Sequence, residues 1–294
     1  MKGGGLLLVA KPAGPTSHDV VATVRRALGE QRIGHLGTLD PFAKGLLVLV
    51  VGRATRLAPF AADWPKTYEG VMRLGITTDT DDLTGAVVAT APWTGITPAQ
   101  LADVIGSFRG GYAQRPPAYS AVKIAGERAY RRARRGEAVT PEPRAVEIAE
   151  LEIIEAAVPD LRFRATVSAG TYLRSLARDI GAKLGCGAHL VALERTAVGA
   201  LRLADALAPA DVTAAALRDA AILVAHMPRR EVEKKERDAV VHGRPIPGGG
   251  GGGGGGDPIT ASRTPIALFA GGDLLAIAEQ VGDVLKPRVV VADE

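Results

Sequence analysis

Apolar positions in this chain follow two patterns that are typical of strands. Residues 6–10 and 46–51 are continuous apolar runs, as in short buried strands. From residue 68 to 75 and from 162 to 167, apolar and polar side chains alternate, as in strands with one buried face. Together the segments predict a sheet that is interspersed with helices.

Three other segments carry apolar residues at helical spacing. The first has Thr16 in position to cap its N-terminus, Asp19 three residues later and Gly29 at its end. The second spans residues 97–108. The third follows Gly170, and its apolar positions are Leu173, Leu176, Ile180 and Leu184.

The chain changes in character near residue 229. A mixed-charge helical stretch is followed there by nine consecutive glycines at 248–256, and then by short β-like runs at 265–269, 274–278 and 288–292. The chain has 294 residues, and because about 150 residues per domain is a usual prior, we expect two domains. We assign residues 1–228 to a main domain and residues 229–294 to a small β-rich domain.

Composition narrows the class of protein. Hydrophobic residues make up 47% and charged residues 23% of the chain, which indicates a folded globular protein. Aromatic residues make up only 4%, so the core must be mainly aliphatic. The single cysteine, Cys186, excludes a disulfide framework within the chain and a cysteine-rich zinc site.

Neither a membrane span nor a cofactor motif is predicted. The longest apolar run, 46–51, is far shorter than the roughly 20 residues of a membrane-spanning helix. Lys11 and Pro12 interrupt the apolar start of the chain before it reaches the length of a signal peptide, so we expect a cytoplasmic protein. The acidic run at 79–82 resembles the start of a calcium loop but lacks its later ligands, which favours an acidic turn. We expect no metal and no cofactor.

Positive charge is concentrated in one segment. The net charge is only +4, but residues 126–136 contain five arginines and one acid. Arginine side chains suit phosphate groups, and Tyr130 offers a ring on which a base can stack. A solvated helix face is the alternative. The candidate RNA contacts in this segment are Arg128, Tyr130, Arg131, Arg132, Arg134 and Arg135.

Asp40 is the first candidate for chemistry. It lies in the segment GHLGTLDP at 34–41, within a glycine-rich stretch from 30 to 45 that we predict to be a loop between two apolar strands. A carboxylate in a loop whose glycines let a ligand approach closely suits a nucleophile or a general base. An aspartate that caps a turn is the alternative, and Pro41 is compatible with both.

Arg174 is the second candidate. It falls in the first turn of the third predicted helix, where the helix dipole disfavours a cation by a few tenths to about 1 kcal/mol. A buried carboxylate such as Asp40 would offset this cost and would itself be kept ionised. Extension of Arg174 into solvent is the alternative.

Four segments of the chain closely resemble motifs of the bacterial tRNA pseudouridine synthase B family, TruB, which isomerises the T-loop uridine at position 55 of tRNA. The central one is GHLGTLDPFAKGLL, and the others are KPAGPTSHDVV at 11–21, KTYEGVMRLGITTDTDD at 66–82 and SAGTYLRSLARDIG at 168–181. The resemblance runs in order from about residue 5 to 200.

This resemblance implies an α+β fold and a set of site residues. The fold is a mixed, mostly antiparallel sheet with flanking helices, a pseudouridine synthase fold, followed by a small C-terminal PUA-like domain that the chain matches only weakly. The resemblance implies that Asp40 is the nucleophile, that Tyr68 lies against the target base and that Arg174 pairs with Asp40. The further residues that it implies are His35 and Lys11 for RNA contact and Gly37, Thr38 and Leu193 for the substrate pocket.

The resemblance also implies how the protein meets its substrate. An RNA-binding thumb corresponds to residues 116–144, where the arginine-rich segment lies. The expected partner is the T-arm stem-loop of tRNA, with no cofactor, no membrane and no obligate protein partner. Two alternatives stay open: a non-catalytic protein that binds or folds tRNA, and an isomerase that acts on another RNA.

Overall fold

The computed structural model describes residues 4–124, 126–248 and 264–292. In chain order, the strands are β1 (Gly5–Lys11), β2 (Ile33–His35), β3 (Lys44–Val51), β4 (Lys66–Leu74), β5 (Ile76–Thr78), β6 (Val87–Thr90), β7 (Gly110–Gln114), β8 (Lys123–Ile124), β9 (Glu127–Arg128), β10 (Arg144–Ala157), β11 (Asp160–Val167), β12 (Ala188–Val198), β13 (Leu201–Arg202), β14 (Arg229–Glu231), β15 (Ile246–Pro247), β16 (Ile266–Ala270), β17 (Asp273–Val281) and β18 (Val284–Val290). The α-helices are α1 (Ser17–Leu28), α2 (Pro98–Gly106), α3 (Ala129–Arg134), α4 (Leu173–Lys183) and α5 (Lys234–Val241).

The larger sheet has nine strands and forms the centre of the molecule. Its main order is β1-β3-β12-β4-β11-β10-β7, with β2 paired to β3 and β13 paired to β12. The pairing of β12 with β3 is parallel, and the other pairings are antiparallel. The predicted mixed, mostly antiparallel sheet is therefore confirmed.

The continuous apolar runs form strands that are buried on both faces. In β1, Leu7 and Val9 pack against α1, while Leu6 and Leu8 point to the opposite face of the sheet. On that face they meet a 3₁₀ helix, Gly52–Ala61, and part of the C-terminal sheet. A strand covered on both sides needs apolar residues at successive positions, which explains the run without alternation.

The predicted helices begin and end where their capping residues place them. Thr16 and Asp19 form a reciprocal capping box at the start of α1, and Gly29 ends the helix in the left-handed conformation. Helix α4 packs its apolar face against the central strands in a cluster that includes Met72, Phe163, Leu176 and Ile180. This packing places the first turn of α4 beside the loop that precedes β3.

The strands after residue 229 form a separate five-stranded sheet in the order β14-β16-β17-β18-β15. The last predicted run, 288–292, is wrong in its bounds, because β18 begins at Val284 and contains Pro287. Pro287 lies opposite Ala278 at a register shift, and a proline lacks the amide that regular pairing needs. The assignment of this sheet to a PUA-like domain stays a prediction.

Two further expectations differ from the structure or lie outside it. The segment 30–45 is not entirely loop, since the buried side chain of Ile33 lies in the short strand β2, which pairs with β3. Of the glycine tract, only Gly248 belongs to the described residues. No helix in the described parts of the chain is both long enough and apolar enough to cross a membrane.

Candidate active site

The loop that carries Asp40 lies between β2 and β3 and is anchored by neighbouring elements. Ser17, at the start of α1, accepts a hydrogen bond from the Leu39 amide at 2.9 Å and donates one to the Leu39 carbonyl at 3.1 Å. Gly37 has a φ of +112°, which favours glycine. The Ala43 amide donates to the Asp40 carbonyl at 3.1 Å and closes a tight turn. These bonds hold the Asp40 main chain in one place.

Lys11 lies beneath this loop and has only 1% of its surface exposed. Its ammonium group donates hydrogen bonds to three main-chain carbonyl oxygens, those of Pro12, Pro41 and Ala43. Burial lowers the pKa of Lys11, and the nearby Asp40 carboxylate opposes that shift. The structure therefore corrects the expectation that Lys11 contacts RNA, because all three donors of its amine are used inside the protein.

Arg195 anchors the same loop, and the sequence analysis missed it. It has 1% of its surface exposed, and it donates from Nε to the Leu46 carbonyl at 2.7 Å and from Nη2 to the Gly37 carbonyl at 3.0 Å. Its charge and the burial of Lys66 together lower the pKa of Lys66 to about 8, with burial as the larger cause. A charged residue in the middle of the apolar strand β12 was the signal available in the sequence.

Arg174 holds the Asp40 carboxylate by two hydrogen bonds. Its Nε donates to Oδ2 at 2.9 Å and its Nη2 donates to Oδ1 at 3.1 Å. The Arg174 side chain is 5% exposed and the Asp40 side chain is 34% exposed. The guanidinium group is thus buried behind a carboxylate that has one accessible side, and it does not extend into solvent.

The acidic run at 79–82 forms the other half of the Arg174 environment. Arg174 Nη1 donates to the Thr80 carbonyl at 3.0 Å and lies 3.5 Å from Asp82 Oδ2. The other oxygen of Asp82, Oδ1, accepts hydrogen bonds from the Thr80 hydroxyl and from both the amide and the hydroxyl of Thr84. Asp82 was missed as a site residue, because the sequence analysis weighed this run only as a calcium loop or an acidic turn.

Burial and three charged groups set the protonation of Asp40. Burial raises the pKa of Asp40 above its ordinary value, and the Asp82 carboxylate raises it further. The Arg174 guanidinium is the main opposing influence, and the Lys11 ammonium adds to it. Arg174 thus favours the ionised carboxylate, as its pairing with Asp40 predicts, but burial and Asp82 outweigh it in the pKa.

Apolar side chains line the same region. Tyr68, Leu193, Leu39 and Leu173 belong to one buried cluster, in which Leu39 precedes Asp40 in the chain and Leu173 precedes Arg174. Tyr68 is 8% exposed and lies on β4, where its main chain is opposite Arg195 of β12. The structure therefore brings Tyr68 and Leu193 into the apolar cluster beside the Asp40–Arg174 pair.

His35 is the last residue of β2, and Thr38 lies in the loop that follows. Thr38 is exposed, whereas His35 is half-buried and its ring makes an edge-to-face contact with the ring of His18, with centroids 6.1 Å apart. Burial lowers the pKa of His35, and the charges of His18 and Arg195 add to that shift. These influences favour the neutral form of His35.

The arginine-rich segment is only partly available for RNA. Arg132 pairs with Glu137 at 2.6 Å, and Arg135 pairs with both Glu127 and Glu137 at 2.7 Å. Glu127 is the one acid within residues 126–136, and Glu137 follows directly after this segment. Two of the predicted phosphate contacts are thus already bound to carboxylates of the chain.

The remaining arginines of this segment surround Tyr130. The Arg134 guanidinium lies 5.6 Å from the centre of the Tyr130 ring. Arg131 and Arg128 lower the pKa of Tyr130, mainly through a hydrogen bond from Arg131. Arg128, Arg131 and Arg134 are exposed. These residues therefore form the exposed, basic part of the predicted thumb.

Metal ligation has no candidate among the side chains described. No group of three or more His, Cys, Asp or Glu residues within these ranges is arranged to hold an ion. The carboxylates of the acidic run are instead bound to arginines, threonines and main-chain amides.

Comparison with known proteins identifies the family. A sequence model described as "TruB family pseudouridylate synthase (N terminal domain)" matches residues 25–173. One described as "tRNA pseudouridylate synthase B C-terminal domain" matches residues 174–234. The second match includes α4 and β12, so its bounds differ from those of the C-terminal sheet.

Curated relatives named tRNA pseudouridine synthase B align with nearly the whole chain. The relative from Mycobacterium sp. (strain KMS) is 40% identical, with 98% of this chain and 96% of the relative covered. The relative from Thermobifida fusca (strain YX) is 42% identical, with 98% of each chain covered. The relative from Azoarcus sp. (strain BH72) is 41% identical, with 99% of this chain and 95% of the relative covered.

Solved structures support the fold. A chain of the structure described as "Structure of H/ACA RNP bound to a substrate RNA containing 2'-deoxyuridine" aligns with a TM-score of 0.72 and 23% identity, covering 98% of this chain and 85% of that one. A chain of a Cbf5-Nop10-Gar1 complex aligns with a TM-score of 0.72 and 25% identity, covering 98% and 84%. From its sequence matches and its fold, the chain belongs to the TruB family of pseudouridylate synthases.

Proposed function

We propose that this enzyme converts the T-loop uridine at position 55 of tRNA to pseudouridine, with Asp40 as the nucleophile. The observation that carries the proposal is the Asp40–Arg174 pair, in which a buried guanidinium holds a carboxylate with one accessible side. The curated relatives at 40 to 42% identity are named tRNA pseudouridine synthase B, which supports tRNA as the substrate.

The chemistry requires a base that has left the RNA stack. In the isomerisation, the bond between ribose C1′ and uracil N1 breaks, the base turns and C1′ bonds to C5. The C5 proton is released and N1 takes up a proton, so the atoms of the nucleotide balance. A base within the folded T-arm must first be flipped out, at a cost of a few kcal/mol. The apolar cluster around Tyr68 and Leu193 supplies a surface for the flipped base, and Asp40 lies at its edge.

Asp40 and Arg174 have separate roles in this scheme. The ionised carboxylate supplies the negative charge that a nucleophile needs, and Arg174 favours that ionised form. The two hydrogen bonds also fix the direction of the carboxylate oxygens, so that Asp40 is held in one orientation towards the substrate. The isomerisation adds no group to the RNA and consumes no cofactor.

The remaining parts of the chain bind the rest of the tRNA. We assign residues 116–144 to a thumb that contacts the T-arm through Arg128, Arg131 and Arg134, with Tyr130 available for stacking. We also assign RNA contact to His35, at the end of β2, and a place in the substrate pocket to the exposed Thr38 of the Asp40 loop. The C-terminal sheet is assigned to a PUA-like domain, in a protein that we expect in the cytoplasm.

The test replaces Asp40 with Asn and measures tritium release from 5-tritiated uridine in a T-arm stem-loop. Asp160→Asn is the matched control, because Arg73 holds Asp160 by the same two hydrogen bonds away from the site. We expect the Asp40 variant to lose at least about a thousandfold in rate, as is usual for a covalent nucleophile, and the Asp160 variant to retain its rate.

Two outcomes would contradict the proposal. Turnover by Asp40→Asn near the rate of the unaltered protein would remove Asp40 as the nucleophile. Binding of the stem-loop by the unaltered protein without any tritium release would instead favour the non-catalytic alternative. Mapping of modified sites in total RNA would detect an isomerase that acts on another RNA.

A further inference from the structure

One turn beyond Arg174, α4 presents a second arginine bridge, which is half-buried. Arg178 Nη1 lies 2.9 Å from Asp81 Oδ2, and its Nε donates to Asp179 Oδ1 at 2.9 Å. The Arg178 side chain is 26% exposed and the Asp81 side chain is 14% exposed. Arg178 therefore binds the residue next to Asp82 in the acidic run, while Arg174 binds Thr80 and Asp82 themselves.

The backbone at Asp81 makes this contact specific. Asp81 is the non-glycine residue with positive φ among those described, at 60°, a conformation that costs energy for a residue with a side chain. Its carbonyl accepts the Leu190 amide at 3.0 Å, so the main chain is held on one side and the carboxylate on the other. Through Asp81, Arg178 fixes the turn that presents Thr80 and Asp82 to Arg174.

The same helix face also holds the segment that leads from the end of β7 into the predicted thumb, residues 114–120, which we call the thumb root. The Arg115 carbonyl accepts hydrogen bonds from Ser175 Oγ at 2.9 Å and from Arg178 Nη2 at 2.8 Å. The Tyr119 carbonyl accepts one from Arg174 Nη2 at 3.0 Å. That same nitrogen donates to Asp40, so the position of the thumb root bears directly on the group that orients the carboxylate.

We propose that Arg178 is a positioning residue for the isomerisation, which keeps Arg174 directed at Asp40 by fixing the acidic run and the thumb root to one helix. The proposal rests on the proposed function. The polar partners that the described residues give Arg178 are Asp81, Asp179 and the Arg115 carbonyl rather than Asp40, so it acts through Arg174. An RNA that displaced the thumb root would change the contacts of Arg174. Arg178 opposes this displacement because it holds the root in place.

The test compares Arg178→Gln with Arg164→Gln. Arg164 is a matched control, because it also bridges two carboxylates, those of Glu69 and Glu152, but on the exposed face of the sheet. At saturating T-arm stem-loop, we expect the single-turnover rate of Arg178→Gln to fall by about tenfold to a hundredfold, the effect of a misplaced catalytic group. The dissociation constant of the stem-loop should change by less than about twofold, and Arg164→Gln should change neither quantity.

A pH profile separates positioning from a general loss of structure. The groups that face Asp40 are Arg174, Asp82 and Lys11, and of these Arg174 most favours the ionised carboxylate. If Arg178→Gln lets Arg174 move away, the pKa of Asp40 rises, and the acid limb of the rate profile moves to higher pH. A variant that merely contains less folded protein would show a lower amplitude with the acid limb unchanged.

Asp81→Asn provides a second, milder variant, because it keeps the size of the side chain and removes the charge that Arg178 binds. We expect a smaller loss of rate with the same direction of pH shift, and a double variant that is no slower than Arg178→Gln. Wild-type rates and profiles in both variants would overturn the proposal, as would a rate loss without a pH shift. Absence of tritium release from the unaltered protein would overturn the proposed function, and the role of Arg178 with it.

Discussion

Two aspartates of this chain are held by an arginine through the same pair of hydrogen bonds, yet their surroundings make them chemically different. Arg174 holds Asp40 at 2.9 and 3.1 Å, and Arg73 holds Asp160 at 2.7 Å on both oxygens. The aspartate side chains are about equally exposed, at 34% and 35%. The arginine side chains differ in exposure, because Arg174 is 5% exposed and Arg73 is 43% exposed.

The pKa values of the two carboxyls move in opposite directions. Arg73 lowers the pKa of Asp160, as expected for an ion pair on the open face of a sheet. The pKa of Asp40 is raised, mainly because burial of the pair disfavours the charged carboxylate and further because the Asp82 carboxylate lies behind its partner. An ion pair of one geometry is thus ordinary surface structure at Asp160, whereas at Asp40 it holds the carboxylate that we propose as the nucleophile. The difference lies in the burial of the pair and in the groups behind the arginine.

The largest expected difference between the pairs concerns the arginine. A lysine at 174 keeps the positive charge, but it cannot reach Asp40, Asp82 and the Thr80 carbonyl together as the planar guanidinium does. We expect Arg174→Lys to lower the single-turnover rate by about a hundredfold, as for other misplaced catalytic groups. Arg73→Lys should leave the rate within about twofold. Equal losses in the two variants would show that the buried surroundings of Arg174 are irrelevant.

Asp82 is the group that has no counterpart beside Asp160, and its charge can be removed without changing its shape. An asparagine oxygen can still accept the bonds from Thr80 and Thr84. We expect Asp82→Asn to lower the pKa of Asp40 and to move the acid limb of the rate profile to lower pH. The rate at neutral pH should fall by no more than about tenfold, equivalent to ~1.4 kcal/mol.

Asp79→Asn is the control for this experiment. Asp79 belongs to the same acidic run, but its carboxylate accepts a hydrogen bond from the Ala86 amide rather than facing Arg174. Its profile should coincide with that of the unaltered protein. An acid limb that moves to higher pH in Asp82→Asn would contradict the opposing roles assigned to Asp82 and Arg174.

The contrast between internally paired and available arginines extends to the predicted thumb. Arg132 and Arg135 are bound to Glu127 and Glu137, whereas Arg131 and Arg134 lie beside Tyr130. We expect Arg131→Gln with Arg134→Gln to weaken stem-loop binding and to reduce the slope of log affinity against log salt by about 0.7 per lost phosphate contact. Changing Arg132 and Arg135 together should reduce the slope less, which salt titrations of both double variants would measure.

Local signals in the sequence were enough to predict much of the fold. The capping residues around Thr16 and Gly29 give the bounds of α1, and the alternation from residue 68 gives β4, because each depends on neighbours in the chain. The arginine at the start of a helix also pointed to a buried carboxylate partner. The helix dipole makes such a position unfavourable without one, and that argument needs no tertiary structure.

The parts of the site that escaped prediction depend on contacts between distant segments. Arg174 and the Thr80 carbonyl are separated by 94 positions in the chain, and Arg195 and Gly37 by 158. No local pattern distinguishes Asp82, which holds a buried arginine, from Asp79, which closes a turn. For Lys11, a local signal was misleading. Its position in a motif suggested contact with RNA, but the residue is buried and its amine binds the protein main chain.

The smallest expected difference between the two pairs is in stability, and its sign is opposite for the two aspartates. Asp160 has a lowered pKa in the folded protein, so its ion pair contributes stability above the unfolded pKa that is lost as pH falls through the folded pKa. Asp160→Asn should therefore lower the free energy of unfolding at neutral pH by up to about 1 kcal/mol.

Asp40 has a raised pKa, so its ionised form lowers stability at neutral pH, and this penalty disappears as pH falls through the folded pKa. Asp40→Asn should thus raise the free energy of unfolding at neutral pH while removing activity. Urea unfolding of both variants at neutral and acidic pH measures these signs, and a destabilised Asp40→Asn protein at neutral pH would mean that the bond to Arg174 outweighs the cost of the buried charge.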